Sequence, residues 1–303
     1  MTRRLLDRLD PAHLRTVRVG AIKTRVYEAG DGEPILLIHG GQFGSLYSLD
    51  AWSLNLPDLA RRFRVMAFDK IGQGHSDPPA RAQDYVVETV EQHTAALVEL
   101  LGLERIHVVG HSRGGIPALH LALERPDIVR SLTLVSTASV APYDPAVPVG
   151  AFYAPFELAP TEDRPSPEHV LREARAQAID PAWITDDFAS RMAAIAALDT
   201  QRQVRSTFGA VEDDVWRPSL AASRTSKLAA IDTRGIPVPT LVLWGYQDRS
   251  APRHLGLRLF ERIAATTPDA RLVILNGAGH YVFRDRPAEF DELLGAFCAR
   301  RGG

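Results

Sequence analysis

Ile106-His107-Val108-Val109-Gly110-His111-Ser112-Arg113-Gly114-Gly115-Ile116-Pro117-Ala118-Leu119 is the stretch on which the reading of the whole chain turns. Ile106 to Val109 reads as a short buried strand, and Gly114 to Leu123 carries helical spacing. Between them, Gly110-His111-Ser112-Arg113-Gly114 fits G-x-S-x-G at a strand-to-helix junction. Small residues at both ends permit a sharp turn that larger ones would block. Such a turn lifts the Ser112 hydroxyl clear of the sheet, at the positive end of the next helix. Ser112 is therefore a candidate nucleophile. The plainer reading is a glycine-rich connection carrying a solvated serine.

Outward from this junction the same rhythm repeats. Ile35 to Ile38 reads as a strand ending at His39-Gly40-Gly41, and Arg64 to Phe68 as another ending at Asp69. Thr89 to Leu101 has helical spacing with Gly102 as its stop. Ser131 to Val135 is a further strand. After Ser136 the rhythm breaks. Prolines and the aromatics Tyr143, Phe152, Tyr153 and Phe156 come first, then a wholly helical pattern from Pro167 to about Ser226. Strands return at Thr240 to Trp244 and Arg271 to Leu275, and a helix closes the chain from about Pro287 to Arg300. Buried strands alternating with helices predict a mostly parallel sheet covered on both faces. The spacing predicts an α/β core of residues 1–138 and 235–303, split by a helical cap at 139–234.

A hydroxyl needs a base to take its proton, and the base needs a third group to orient it. Asp248 follows the strand ending at Trp244-Gly245, and His280 follows the last strand in Gly277-Ala278-Gly279-His280. Both stand in loops past strand carboxyl ends, where open α/β sheets place ligands. The order Ser, Asp, His matches one of the known triad orders. Read separately, Asp248 is a turn aspartate and His280 a loop histidine. An acyl-transfer serine also needs an oxyanion hole. The backbone N–H groups of Arg113 and Gly41 are the candidates.

Composition excludes several other classes. The chain has 303 residues, 35 Lys+Arg against 37 Asp+Glu, and a net charge of -2. That balance argues against nucleic acid or an anionic membrane surface as partner. Only three of the basic residues are lysines: Lys23, Lys70 and Lys227. The single cysteine, Cys298, rules out an internal disulfide and a cysteine-cluster metal site, and suits a reducing compartment. The stretch from Met1 to Val19 lacks the apolar centre of a secretory signal, and nothing approaches the ~20 apolar residues of a membrane span. A cytoplasmic protein is expected. No H-E-x-x-H, no phosphate-binding G-x-x-x-x-G-K-[ST] and no G-x-G-x-x-G after a strand occurs, so no metal, nucleotide or flavin cofactor is expected.

With these motifs in this order the chain resembles the α/β-hydrolase family over nearly its whole length. Gly72-Gln73-Gly74-His75-Ser76-Asp77 is similar to that family's turn after its fourth strand. The resemblance implies an eight-stranded sheet flanked by helices, with an inserted helical lid. Within the family the chain looks most like meta-cleavage-product hydrolases, which cut a C–C bond in 2-hydroxy-6-oxo-hexa-2,4-dienoates. Phe68-Asp69-Lys70-Ile71-Gly72-Gln73-Gly74-His75, the Ser112 motif, and Ile184-Thr185-Asp186-Asp187-Phe188-Ala189-Ser190-Arg191-Met192 carry that likeness. The last is similar to a lid segment whose arginine grips the substrate carboxylate. Arg191 is the matching position, although Asp187 four residues earlier also suits an ordinary helix-surface ion pair. Gly40, His111, Tyr281, Trp183 and Phe188 complete the expected substrate contacts. Departures include His111 where the family commonly has asparagine, Tyr281 where it often has tryptophan, and Leu54 after Trp52-Ser53.

The resemblance implies a carboxylate-bearing dienone as the small-molecule substrate, and a homodimer or larger assembly. The residues leave other readings open. These are a carboxylesterase or lactonase with the same triad, a cofactor-independent dioxygenase, and a non-catalytic ligand receptor.

Overall fold

A computed structural model describes residues 9–147, 152–156 and 165–300. Eight strands form one sheet: β1 (Leu14–Val19), β2 (Ile22–Ala29), β3 (Glu33–Ile38), β4 (Phe63–Phe68), β5 (Ile106–His111), β6 (Val129–Val135), β7 (Thr240–Gly245) and β8 (Ala270–Leu275). Their order is β1-β2-β4-β3-β5-β6-β7-β8. β2 runs antiparallel to both neighbours, and every other pairing is parallel. Helices of more than two turns are α1 (Val87–Leu100), α2 (Gly115–Glu124), α3 (Pro167–Gln177), α4 (Asp186–Ala196), α5 (Asp199–Val211), α6 (Arg217–Arg234), α7 (Arg253–Ala264) and α8 (Pro287–Ala299).

Side chains alternate across each strand, and the two faces of the sheet feed two separate cores. Leu36, Ile38, Val108, Leu132, Leu134, Val242 and Trp244 join one. Ile35, Leu37, Val109, Val135, Leu241 and Leu243 join the other. β5 and β7 are buried at all six positions, which explains why they read as continuous apolar runs rather than alternating ones. His107 and His111 are the polar exceptions in β5, and His107 is satisfied: Nδ1 meets Ser131 Oγ at 2.7 Å and Nε2 meets Glu33 at 3.2 Å.

The predicted strands and core helices stand where expected, within two residues at their ends, while the helical stretch expected to close at about Ser226 continues to Arg234. Three elements go beyond them. The β1–β2 hairpin lies at the sheet edge, where β1 buries only Val19. α7 is amphipathic, burying Leu255, Leu259 and Ile263. Between β6 and β7 the described residues contain no strand, and α3 to α6 fill that interval. Ser166 caps α3 by accepting from His169 N–H, and Thr185 caps α4 by accepting from Phe188 N–H. A five-residue π-helical segment, Glu212–Trp216, joins α5 to α6.

One buried histidine makes the fold acid-sensitive. His93 on α1 pairs through Nε2 with Thr24 Oγ1 at 2.8 Å, and burial lowers its pKa from 6.5 to about 4. As pH falls below 6.5 the unfolded chain takes up a proton before the folded one does. Stability is therefore full above pH 6.5 and declines as pH falls towards 4, by up to about 3 kcal/mol from this group. His93→Gln is expected to flatten the unfolding free energy between pH 7 and 4.5 by roughly that amount in urea titrations. An unchanged slope would refute the assignment.

Candidate active site

The turn after β5 is dictated by sterics. Ser112 holds φ +51, the left-handed region, as the first residue of a one-turn helix leading into α2. A Cβ at Gly110 would stand 2.4 Å from Gly114 O. A Cβ at Gly114 would stand 2.3 Å from Ile38 O and 2.6 Å from His39 O, both backbone atoms at the end of β3. Only a hydrogen fits at either place. Gly114→Ala is expected to lose about 3 kcal/mol of stability, read as a lower urea midpoint; a wild-type midpoint would contradict this packing.

The loops after β7 and β8 bring the acid and the base together. His280 Nδ1 lies 2.8 Å from Asp248 Oδ2, and both residues are buried. The other carboxylate oxygen of Asp248 accepts from Ser250 N, Ala251 N and Ser250 Oγ at 2.8–3.1 Å. Asp248 thus enters the pair already oriented. The His280 loop is held by Gln247 Oε1, which accepts from Gly277 N and Ala278 N, and by Asp285 Oδ2, which accepts from Gly279 N. Ser112 Oγ and the His280 ring make no hydrogen bond to each other, though both residues line the same cavity. Such contacts commonly tighten only once substrate binds.

The loop after β3 supplies the opposite wall. Gly41 has φ +75, and a Cβ there would stand 2.1 Å from Ser45 Oγ. Its carbonyl accepts from Lys70 Nζ at 2.8 Å, while Gln73 Nε2 donates to Gly40 O and Ser45 Oγ. The Gly72–Asp77 turn therefore braces the candidate oxyanion loop. Arg113 is the second residue of its one-turn helix, where backbone N–H groups lack an intrahelical acceptor.

A cavity of about 350 Å³ joins these groups. Ser112, His280, Gly41, Arg113, His111 and Tyr281 line it from the core side. His111 donates from Nε2 to His280 O at 3.0 Å, and burial beside His280 lowers its pKa well below the usual value, so it is neutral. α3, α5, the π segment and α6 contribute Glu173, Arg205, Phe208, Glu212 and Arg224.

Four expected substrate contacts lie outside the lining. Gly40 sits beneath it, where a Cβ would stand 3.0 Å from Ser112 Cβ. Arg191 on α4 reaches away from the cavity to Asp50, with Nε 2.9 Å from Oδ1, and to Ser53 Oγ at 3.3 Å. Phe188 and Trp183 pack edge to face at 5.5 Å, and the Arg284 guanidinium lies over both rings. Trp183 Nε1 donates to Asp285. α4 turns its apolar stripe, Phe188, Met192 and Ile195, inward, so its residues fill a core instead of facing the cavity.

Glu173, Arg205 and Arg224 are cavity residues that the sequence reading passed over. Glu173 had a visible signal: it follows Val170 by three and precedes Gln177 by four, on the inward face of α3. Burial raises its pKa, and Gln177 Nε2 donates to it at 2.9 Å. Gln177 Oε1 lies 2.9 Å from Ser250 Oγ and shares that hydroxyl's proton with Asp248, which ties α3 to the Asp248 loop.

This sheet, with a strained serine elbow and an Asp–His pair at its carboxyl edge, defines a class of serine hydrolase. Residues 33–287 match the family described as the alpha/beta hydrolase fold, and the chain belongs to it. Curated relatives agree over nearly full length. A 2-hydroxymuconate semialdehyde hydrolase from Pseudomonas sp. (strain CF600) is 31% identical over 94% of this chain and 93% of its own. A 2-hydroxy-6-oxo-2,4-heptadienoate hydrolase from Pseudomonas putida is 30% identical over 94% and 96%. In structure, a meta-cleavage product hydrolase from Pseudomonas fluorescens IP01 superposes with a TM-score of 0.76 at 23% identity, covering 94% of this chain and 97% of that one, a likeness of fold. No helix among the described residues is long and apolar enough to cross a membrane.

Proposed function

We propose that the protein hydrolyses a C–C bond in a 2-hydroxy-6-oxo-hexa-2,4-dienoate formed by opening of an aromatic ring. The observation that carries the reading is the 2.8 Å Asp248–His280 pair, whose histidine lines one cavity with Ser112; the names of the relatives supply the substrate class. His280, held by Asp248 in the tautomer with a proton on Nδ1, leaves Nε2 free to act as base.

The dienol first ketonises, moving its hydroxyl proton to C5 and leaving a 2-oxo-3-enoate. Ser112 Oγ then attacks the C6 carbonyl as His280 takes its proton. The oxyanion that forms is received by the N–H groups of Gly41 and Arg113. The C5–C6 bond breaks, and its electron pair passes through C4 and C3 into the C2 carbonyl. The resulting dienolate takes the proton from His280 and leaves as a 2-hydroxypenta-2,4-dienoate. Water, activated by the same base, releases the acyl group from Ser112 as a carboxylic acid. Residues 139–234 act as the cap that shields these steps from bulk water. The assembly is a homodimer or larger, and the compartment is the cytoplasm, which the single buried thiol Cys298 fits.

Purified protein mixed with 2-hydroxymuconate semialdehyde is expected to bleach its visible absorbance, with kcat/KM above that for p-nitrophenyl acetate. Rapid ester turnover with no bleaching would instead establish a carboxylesterase.

A further inference from the structure

The C-terminal end of α3 is fastened to both loops that carry the acid and the base. Asp285 Oδ1 accepts from Ile179 N and Asp180 N at 3.0 and 3.2 Å, while its Oδ2 accepts from Gly279 N, next to His280, at 2.8 Å. A Cβ at Gly279 would stand 2.6 Å from Gln177 O. The side chain of Gln177 reaches the other loop. Its Oε1 lies 2.9 Å from Ser250 Oγ, which in turn lies 3.1 Å from Asp248 Oδ1. Its Nε2 donates to Glu173 Oε1, one turn earlier, at 2.9 Å. A chain of polar groups thus runs from Glu173 in the cavity wall through Gln177 and Ser250 to the carboxylate that orients His280. Gln177 and Ser250 are 2% and 1% exposed, so both are withdrawn from bulk water.

Ser250 has one hydroxyl proton and two acceptors within its reach. Given to Asp248, the proton is a third donor on Oδ1 beside Ser250 N and Ala251 N; given to Gln177, it leaves two. Glu173 decides which way the Gln177 amide faces. An ionised carboxylate only accepts, so it holds Nε2 towards itself and Oε1 towards Ser250. A protonated Glu173 can donate to Oε1. The turned amide then offers Nε2 to Ser250, whose own proton goes to Asp248. Burial raises the pKa of Glu173, which favours the protonated form. Tyr47, Tyr153 and Tyr281 face Glu173, and burial keeps all three neutral by raising their pKa; Tyr153 also faces Ser250. Arg113 and His280 face Glu173 too, and Arg205, Glu212 and Arg224 share its cavity. We propose that Gln177 and Ser250 are positioning residues that relay the state of the Glu173 carboxyl to Asp248, and so set how strongly Asp248 supports a proton on His280. A carboxylate with fewer donors is the stronger partner for an imidazolium. The proposal rests on the triad of the function proposed above and not on its C–C substrate.

The rate at which a fluorophosphonate labels Ser112, followed by mass spectrometry from about pH 5 to 9, tests this. Labelling needs His280 as base but no natural substrate. Ser250→Ala removes the hydroxyl and leaves Asp248 two donors. Gln177→Leu removes the competing acceptor and leaves it three. The acidic limb of the profile is expected at higher pH in Ser250→Ala than in Gln177→Leu, by about 0.5 pH unit or more, with the wild type between them. Ser250→Thr, which keeps the hydroxyl, is expected to restore the wild-type limb. Gln177→Met replaces the leucine variant if that one does not fold. Glu173→Gln is expected to move the limb to lower pH, and by no more than half as much in the Gln177→Leu background, where only the loss of a charge facing His280 remains. Coincident limbs, the reverse order, a wild type outside the interval, or a Glu173→Gln shift undiminished in the Gln177→Leu background would overturn the relay. A wild type that is not labelled would remove the triad and the relay together. Labelling without bleaching of a dienoate would remove only the proposed C–C reaction.

Discussion

Ser112→Ala is expected to lower kcat for the dienoate by about 10⁴-fold or more, with stability and dienoate affinity unchanged. Groups of a triad act as a unit, so removing the nucleophile alone forfeits nearly the whole contribution of the set. Binding survives because the cavity wall loses only a hydroxyl, and that hydroxyl bonds to no described residue. The alanine must hold the φ of +51 that Ser112 holds, a strain the serine already bears, so the elbow keeps its shape. Single-turnover absorbance at saturating substrate is the measurement. Activity within tenfold of wild type would remove Ser112 from the nucleophile's role and leave water, activated by His280, to attack directly.

Asp248→Asn is expected to cost about 10⁴-fold in kcat, the scale on which an orienting carboxylate acts in a triad. The reason lies in the loop. Three donors, Ser250 N, Ala251 N and Ser250 Oγ, converge on Oδ1. An asparagine would turn its carbonyl oxygen to these donors and its NH₂ to His280 Nδ1. That nitrogen must then accept, which moves the ring proton to Nε2, where the base is needed. Folding is expected to survive, since the loop bonds are kept. The check is a pre-steady-state comparison with wild type beside a thermal melt. A fall of less than tenfold would show that Asp248 does not set the tautomer.

Much of this was legible beforehand, for local reasons. The elbow announces itself because residues 110 and 114 admit no side chain, a steric fact carried within five residues. The strands beneath it read as apolar runs because both faces of a parallel sheet are covered. The β1–β2 hairpin escaped notice because an edge strand that buries one residue leaves little hydrophobic pattern. α7 escaped because Pro252 and the turn before it look like a continuing loop.

The chain order of Ser112, Asp248 and His280, the glycines that let the backbone bend, and the long helical interval between two strands are properties of the sequence itself. They follow from short-range sterics and hydrophobic period. Which arginine faces the cavity is not. Arg191 and Arg224 both lie on helices within that interval, and adjacent helical positions differ by about 100° in direction. The packing of each helix against the rest of the chain therefore decides where its charge points. Phe188, Met192 and Ile195 draw α4 into a core, and Asp50, from a one-turn helix far off in sequence, captures Arg191. Arg113 and Arg224 line the cavity beside Ser112, in a wall that also holds Glu173 and Glu212.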